Sequence, residues 1–269
     1  AISIETAMDM MAEKLHIDPF ELRRRNAVYP GAVSVGGEVL QVSMGMMDTI
    51  DQCEKKLREA LKEYEGQYPQ GTRVLGWGMA CGFKNVGVGK GIFTGDGACK
   101  LTLQGDGRLR MIVSGTDMGQ GFRTAMTQIA AETLHMDISN IDIVIGDTEI
   151  TIPTGETVAE RQTLCGGRAV YEPCIKLKAD LESCPWQPGE ERRAEYYFAC
   201  DPCFPIGDFE GAAAKGVKYR NFPAYAYATQ AAIVEVDKST GHTKVLKFIA
   251  AHDVGRAINP HIIEGQMHG

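Results

Sequence analysis

Two glycine-marked entries into helices are the first residues in this sequence with the types and spacing to do chemistry. Residues 115–124 read Gly-Thr-Asp-Met-Gly-Gln-Gly-Phe-Arg-Thr and end where a helical pattern begins. Gly115, Gly119 and Gly121 permit positive φ and close approach of backbone to a ligand, and the amides of an opening helix turn have no partners of their own. The pattern predicts an anion seat with outward-facing amides, a grip for a phosphate-bearing cofactor. It contains no catalytic acid, base or nucleophile. On composition alone a plain strand-to-helix corner is the alternative.

Residues 148–163 repeat the arrangement. A polar loop of Thr, Pro and Gly ends in Ala159, Glu160, Arg161, Gln162 and Thr163 and runs into a helical pattern near Cys165, beside Gly166 and Gly167. Two such entries point to a large polar ligand shared between them. The bland alternative for Glu160 and Arg161 is a surface ion pair of little worth.

Other candidates carry less. Gly87-Val88-Gly89-Lys90-Gly91 has the look of a phosphate loop but fails its pattern, because Gly91 stands where Ser or Thr should hold magnesium and no helical pattern follows. Cys200 and Cys203 are spaced C-x-x-C, yet a structural zinc site wants a second close pair, and Cys174 and Cys184 are ten apart. The eight cysteines read as scattered reduced thiols of a cytoplasmic protein, not as a disulfide framework. His252, His261 and His268 offer no helical metal-binding pair with a third partner.

The elements that must hold these stretches follow from periodicity. Ile4, Met8, Met11, Ala12 and Leu15 recur at helical spacing, with the methionines as core filler, and Asp18-Pro19 starts a second helix through Phe20, Leu22 and Arg25. Arg23, Arg24 and Arg25 read as that helix's solvated face. Residues 31–42 are loop-like, and residues 48–63 form a charged amphipathic helix carrying Ile50, Cys53, Leu57 and Leu61, broken at 67–71. Strand character starts at Val74, and a glycine-spaced loop is expected over 82–97. Residues 99–103 and 109–113 alternate about Gly105-Asp106-Gly107, a hairpin signal that delivers the chain into residue 115. A helix over 124–134, a turn through Asp137 and Ser139, and a strand over 141–145 come next. Residues 184–216 read as an excursion over the surface. A second hairpin, 225–236 with 245–250 about Ser239-Thr240-Gly241, and a last helix from Ile262 toward Gln266 close the chain.

The totals set the class. A chain of 269 residues with 44% hydrophobic and 23% charged residues is ordinary for a globular protein and long enough for one large or two ordinary domains. A net charge of -7 gives no field to attract nucleic acid or an anionic membrane, and no apolar run reaches the length of a membrane span. Ala1 is not an initiator methionine, a helix is already in progress there, and residues 265–269 end in polar glycine-rich sequence, so the chain reads as a piece of something longer. The expected fold is α/β: a mixed sheet with hairpins and packed helices over 71–269, preceded over 1–70 by a helical segment of a neighbouring domain with its linker.

Taken in order, these motifs resemble the molybdenum-binding large subunit of the xanthine dehydrogenase and aldehyde oxidase family of molybdenum hydroxylases. The likeness runs through Glu5-Thr6-Ala7-Met8-Asp9, residues 18–26, residues 115–124 with Gln128 and Glu132, Asp147-Thr148, Pro153-Thr154, residues 159–163, Gly167 with Ala169-Val170, residues 222–227, and residues 253–260 up to Gly265-Gln266. The resemblance implies the family's molybdopterin-binding α/β fold and a molybdopterin cofactor carrying molybdenum, held without covalent protein ligands to the metal. Gly119, Gln120 and Gly121 would grip the pterin or its phosphate. Ala159 would lie beside the molybdenum, Glu160, Arg161, Gln162 and Thr163 would wrap the cofactor, and Gln266 would bond the pterin from the other side.

The resemblance also implies hydroxylation of a purine, an N-heterocycle or an aldehyde, with electrons leaving through iron-sulfur clusters and FAD in partner subunits or domains. The family's proton-abstracting glutamate belongs to a Gly-x-Gly-Glu segment downstream of Gln266, so no catalytic residue is expected within these 269 positions and this stretch alone is expected to be inactive. At Glu160 the family usually has a small residue, often Ser. Two other readings stand beside this one. The first is a non-enzymatic assembly or interaction domain whose glycine loops only turn corners; the second is nucleotide binding through residues 87–91.

Overall fold

A computed structural model describes residues 2–41, 44–87, 95–200 and 203–268 of the chain. Residues 88–91 of the glycine-lysine stretch therefore lie outside the described residues. Among the described residues the fold is mixed α/β with two sheets, one in each of two compact units.

The first unit comprises Ala1–Ser34, Val39–Lys84 and Tyr225–Gly255. It contains α1 (Ile2–Leu15), α2 (Pro19–Asn26), α3 (Met46–Leu61) and a three-stranded sheet ordered β1-β6-β7, from β1 (Arg73–Val86), β6 (Ala224–Asp237) and β7 (Thr243–Asp253). Ile50, Cys53 and Leu57 lie on one stripe of α3 and are fully buried with Phe20 and Ile233, as the sequence spacing required. Burial pushes the Cys53 thiol up to about 11. Strands β6 and β7 form the expected antiparallel hairpin, with a register shift at Ile233/Val234.

Three expectations fail in this unit. Arg23 is not solvated: it is 3% exposed and clamped by Glu5 and Asp9 of α1, each at 2.8 Å, while Arg24 pairs with Asp51 and Glu54 of α3. Facing carboxylates on two neighbouring helices made those arginines into crosslinks. Nor are the α1 methionines core filler, since Met10 and Met11 are about half exposed and Ala12 is the buried residue of that helix. The loop expected from residue 82 also starts later, because β1 runs on to Val86.

The second unit comprises Val35–Glu38, Asn85–Ala224 and Arg256–Gly269. Its four-stranded sheet is ordered β4-β3-β2-β5, built from β2 (Asp96–Leu103), β3 (Leu109–Val113), β4 (Ile141–Val144) and β5 (Arg192–Ala199). Strand β2 pairs antiparallel with β3 across the turn at residues 105–107 and with β5 on its other side, and β4 adds parallel to β3. Helices α4 (Phe122–Leu134) and α5 (Arg161–Ser183) supply the other half of the core, where Leu101, Leu109, Met111, Met126 and Val170 are shut off from solvent. The short α6 (Phe209–Ala214) and α7 (Pro260–His268) complete the unit. Gly97 of β2 lies so close under α5 that a Cβ there would sit 2.4 Å from the Cys165 carbonyl oxygen, so the glycine is a condition of that contact.

Strand β5 overturns the expected surface excursion over 184–216. Ala194, Tyr196 and Phe198 turn inward in strict alternation, and Ala194 and Phe198 pack on the core. A Met111→Ala substitution at the centre of this core should cost about 2–5 kcal/mol, the usual price of a buried cavity, read as a lowered midpoint in urea unfolding.

Candidate cofactor site

Arg161 is the first residue of α5 and is completely buried, which removes the surface-ion-pair reading. Its guanidinium donates to three main-chain oxygens, those of Asp96, Gly155 and Glu156. The Asp96 carboxylate stands 3.7 Å away, itself accepting from the Gly155 amide at 2.7 Å and from the Tyr197 hydroxyl. Beside that carboxylate the Tyr197 phenol is pushed up to about 12. A charge buried this deeply is tolerated only when paired and hydrogen-bonded, and here the pairing ties α5 to the first residue of β2 and closes the loop over 155–160.

The loop ends in two consecutive left-handed residues, Ala159 at φ 51° and Glu160 at φ 52°. Each such non-glycine conformation costs about 1–3 kcal/mol and persists only where its surroundings enforce it. The Arg161 clamp on one side and a hydrogen bond from the Gly87 amide to the Ala159 carbonyl at 2.7 Å on the other do so. Glu160 is the N-cap of α5 but gives it no side-chain cap, so the first-turn amides of Gln162 and Thr163 receive no acceptor from the N-cap side chain.

The entry to α4 is built differently, and this corrects the expected anion seat of outward amides at residues 115–124. Asp117 fills that seat with its own carboxylate: one oxygen accepts from the Gly119 amide at 2.9 Å, the other from the Arg123 amide at 2.8 Å. These bonds hold the Asp117 carboxyl below its ordinary value, the Arg123 amide contributing most. Gln120 is likewise used inside the turn, accepting from the Met118 amide at 2.5 Å and donating to the Thr116 carbonyl at 2.8 Å. Gly119 is exposed, with open space where a Cβ would be.

The structure nevertheless brings the predicted stretches together. Thr157 Oγ1 accepts from the Thr116 amide at 3.0 Å and from Gln162 Nε2 at 2.8 Å, joining the turn to the α5 loop. Gly121, left-handed at φ 80°, lies where a Cβ would meet Ile262 of α7 at 2.5 Å. Helix α7 is held there by Asn259 to Gln128 at 3.0 Å and Arg256 to Glu132 at 3.0 Å. Gln266 follows Ile262 by one helical turn and is exposed.

The predicted site residues thus divide by role. Arg161 and Gln162 turn their side chains inward as struts. Gly119, Glu160, Thr163 and Gln266 are exposed and Ala159 is half-buried, available to a ligand. Sequence reading missed Asp96, Tyr197, Asp117 and Thr157. Only Asp117, two residues before a glycine and opening an Asx-type turn, carried a local signal. A cavity of about 580 Å3 opens beside Thr163, lined also by Arg168, Tyr171, Phe198, Cys200 and Arg220.

A family model described as Molybdopterin cofactor-binding domain matches residues 52–187 and 187–269. The chain belongs to this family. Among relatives, the carbon monoxide dehydrogenase large chain of Hydrogenophaga pseudoflava is 26% identical over 99% of this chain and 37% of its own length. The aldehyde oxidoreductase of Megalodesulfovibrio gigas is 29% identical over 98% of this chain and 29% of its own. The solved aldehyde oxidoreductase from Desulfovibrio gigas superposes with a TM-score of 0.75 at 25% identity, covering 98% of this chain and 29% of that one. The molybdopterin-binding chain therefore spans well under half the length of these relatives.

The residues present fit such a cofactor. Its phosphate matches the α5 terminus, which has no side-chain cap, and the exposed backbone at Gly119 leaves room for a flat group. Two outcomes test this geometry. Asp96→Ala should leave the Arg161 charge uncompensated and cost about 3–5 kcal/mol in urea unfolding, with Asp96→Asn losing less. The Asp117 contribution has a depressed folded pKa, so it is complete above the unfolded value of about 3.9 and is lost as pH falls through the folded one. NMR amide shifts of Gly119 and Arg123 should accordingly stay fixed at pH 5 and move together below pH 4, about the unfolded carboxylate value, and Asp117→Ala should abolish that step.

Proposed function

We propose that this chain is part of the large subunit of a molybdenum hydroxylase and supplies two walls and a floor for its molybdopterin. The observation that carries the reading is the direct linkage of residues 115–124, 157–163 and 259–266 within one compact unit, around an uncapped helix N-terminus. When bound, the molybdenum of such a cofactor supplies hydroxylation of an electron-poor carbon in a purine, an N-heterocycle or an aldehyde.

The chain's own part is to hold. The α5 amides of Gln162 and Thr163 bind the phosphate or pterin edge, Gly119 gives backbone access, and Gln266 closes the far side with an amide that can both donate and accept. Ala159, kept left-handed, offers the metal's surroundings a small apolar surface and no ligand. Glu160 is exposed at the rim, where its charge acts on whatever approaches. Partner components carrying iron-sulfur clusters and FAD would take the electrons, and a cytoplasmic location suits the free cysteines. In support, relatives of this chain are named as a large chain and a large subunit, names that belong to multi-subunit assemblies. Among the described residues no helix is long and apolar enough to cross a membrane.

The test is metal and pterin analysis of the parent-length protein made in a host that synthesises the cofactor, with hydroxylation assays on aldehydes, purines and N-heterocycles. Near-stoichiometric molybdenum is expected there and not in the 269-residue chain alone. A parent protein that folds and carries neither molybdenum nor pterin would falsify the proposal and favour the assembly-domain reading.

A further inference from the structure

Cys165 and Cys200 face each other across the start of α5 and the end of β5, with their sulfurs 3.6 Å apart. Their backbones are fixed independently. Cys165 sits one turn after the buried Arg161, with its carbonyl against Gly97, and the Cys200 amide donates to the Gly95 carbonyl at 2.7 Å. A disulfide needs sulfurs about 2.05 Å apart, so the two have to approach by about 1.5 Å. The two thiols also differ in access. Cys165 is fully buried, whereas Cys200 is half-buried and lines the cavity of about 580 Å3.

We propose that Cys165 and Cys200 form a reversible thiol–disulfide site, oxidised by hydrogen peroxide entering through that cavity. The inference does not depend on the cofactor reading. Either sulfur can donate to the other, and loss of one proton to solvent leaves the pair holding the second between its sulfurs. The hydrogen bond to Cys165 and burial raise the Cys200 thiol, so the arrangement with the proton on Cys165 is the minor one; from it the cavity-lining Cys200 sulfur attacks one peroxide oxygen, the O–O bond breaks, and the released hydroxide takes the proton to leave water and a sulfenic acid on Cys200. The Cys165 thiolate then attacks the Cys200 sulfur; the S–S bond forms, the S–O bond breaks, and the departing hydroxide takes a solvent proton. Two electrons pass from the thiols to peroxide. In the reduced pair the hydrogen bond from Cys200 and the buried Arg161 cation favour the Cys165 thiolate; once Cys200 is a sulfenic acid, the Arg161 cation is the stabilising charge that remains for the second step. Burial pushes the Cys174 thiol up to about 12, and burial with the nearby Cys174 sulfur raises Cys99; unlike Cys200, neither lines the cavity.

The product would fasten the first turns of α5, directly after residues 159–163, to the end of β5. The test exposes parent-length protein, purified without air, to a small excess of hydrogen peroxide, blocks remaining thiols by alkylation, and maps cysteine linkages by mass spectrometry. The expected result is a peptide joining Cys165 to Cys200 that dithiothreitol removes, with both cysteines losing free-thiol signal together. Cys165→Ser, or Cys165→Ala if the serine variant is unstable, should instead leave Cys200 as a sulfenic acid trapped by dimedone. A Cys200–Cys203 link in place of the Cys165 link overturns the proposal. So does persistence of both free thiols at a peroxide dose that oxidises the exposed Cys184.

Discussion

The buried charge of Arg161 is the constraint on which the second unit depends. A guanidinium with no solvent must find all its acceptors inside the protein, and it finds them in the main chain at 155–156, the carbonyl of residue 96 and the Asp96 carboxylate. Those demands set the loop's path. They join the first residue of a helix to the first residue of a strand, and they stabilise the strained pair Ala159 and Glu160 by leaving the chain no other route. A salt bridge of this kind adds little to stability compared with a well-packed apolar substitute; what it fixes is direction.

The two helix entries that look alike as sequence are opposites as structures. At α4 the chain satisfies its own amides with Asp117, and the turn is a finished wall. At α5 the N-cap residue contributes no capping oxygen. Between them Thr157 works as a two-way joint, and Ile262 brings α7 against the bare backbone of Gly121.

What was legible in the sequence was local or periodic. The β2–β3 hairpin announced itself through Gly105-Asp106-Gly107, α3 through its apolar stripe, and β6–β7 through alternation about a Ser-Thr-Gly turn. Strand β5 was hidden because Arg192, Arg193 and Glu195 occupy alternate and leading positions and read as surface, although Ala194, Tyr196 and Phe198 carry a period of two. The role of Arg161 could not be read, because its partner lies 65 residues earlier in the chain. The same holds for Arg23, whose carboxylates are on the preceding helix. Charged side chains announce their type but not their direction, and a long-range partner decides whether they face water.

The self-capped turn at Asp117 has a bearing on the order of events in the cell. A turn whose Gly119 and Arg123 amides already bond to Asp117 folds without waiting for an anion, so loading a cofactor would complete a cleft and not a fold. On the proposed function, the α4 entry would already be in place in the newly made apoprotein, while the α5 entry would be completed at the moment of cofactor insertion.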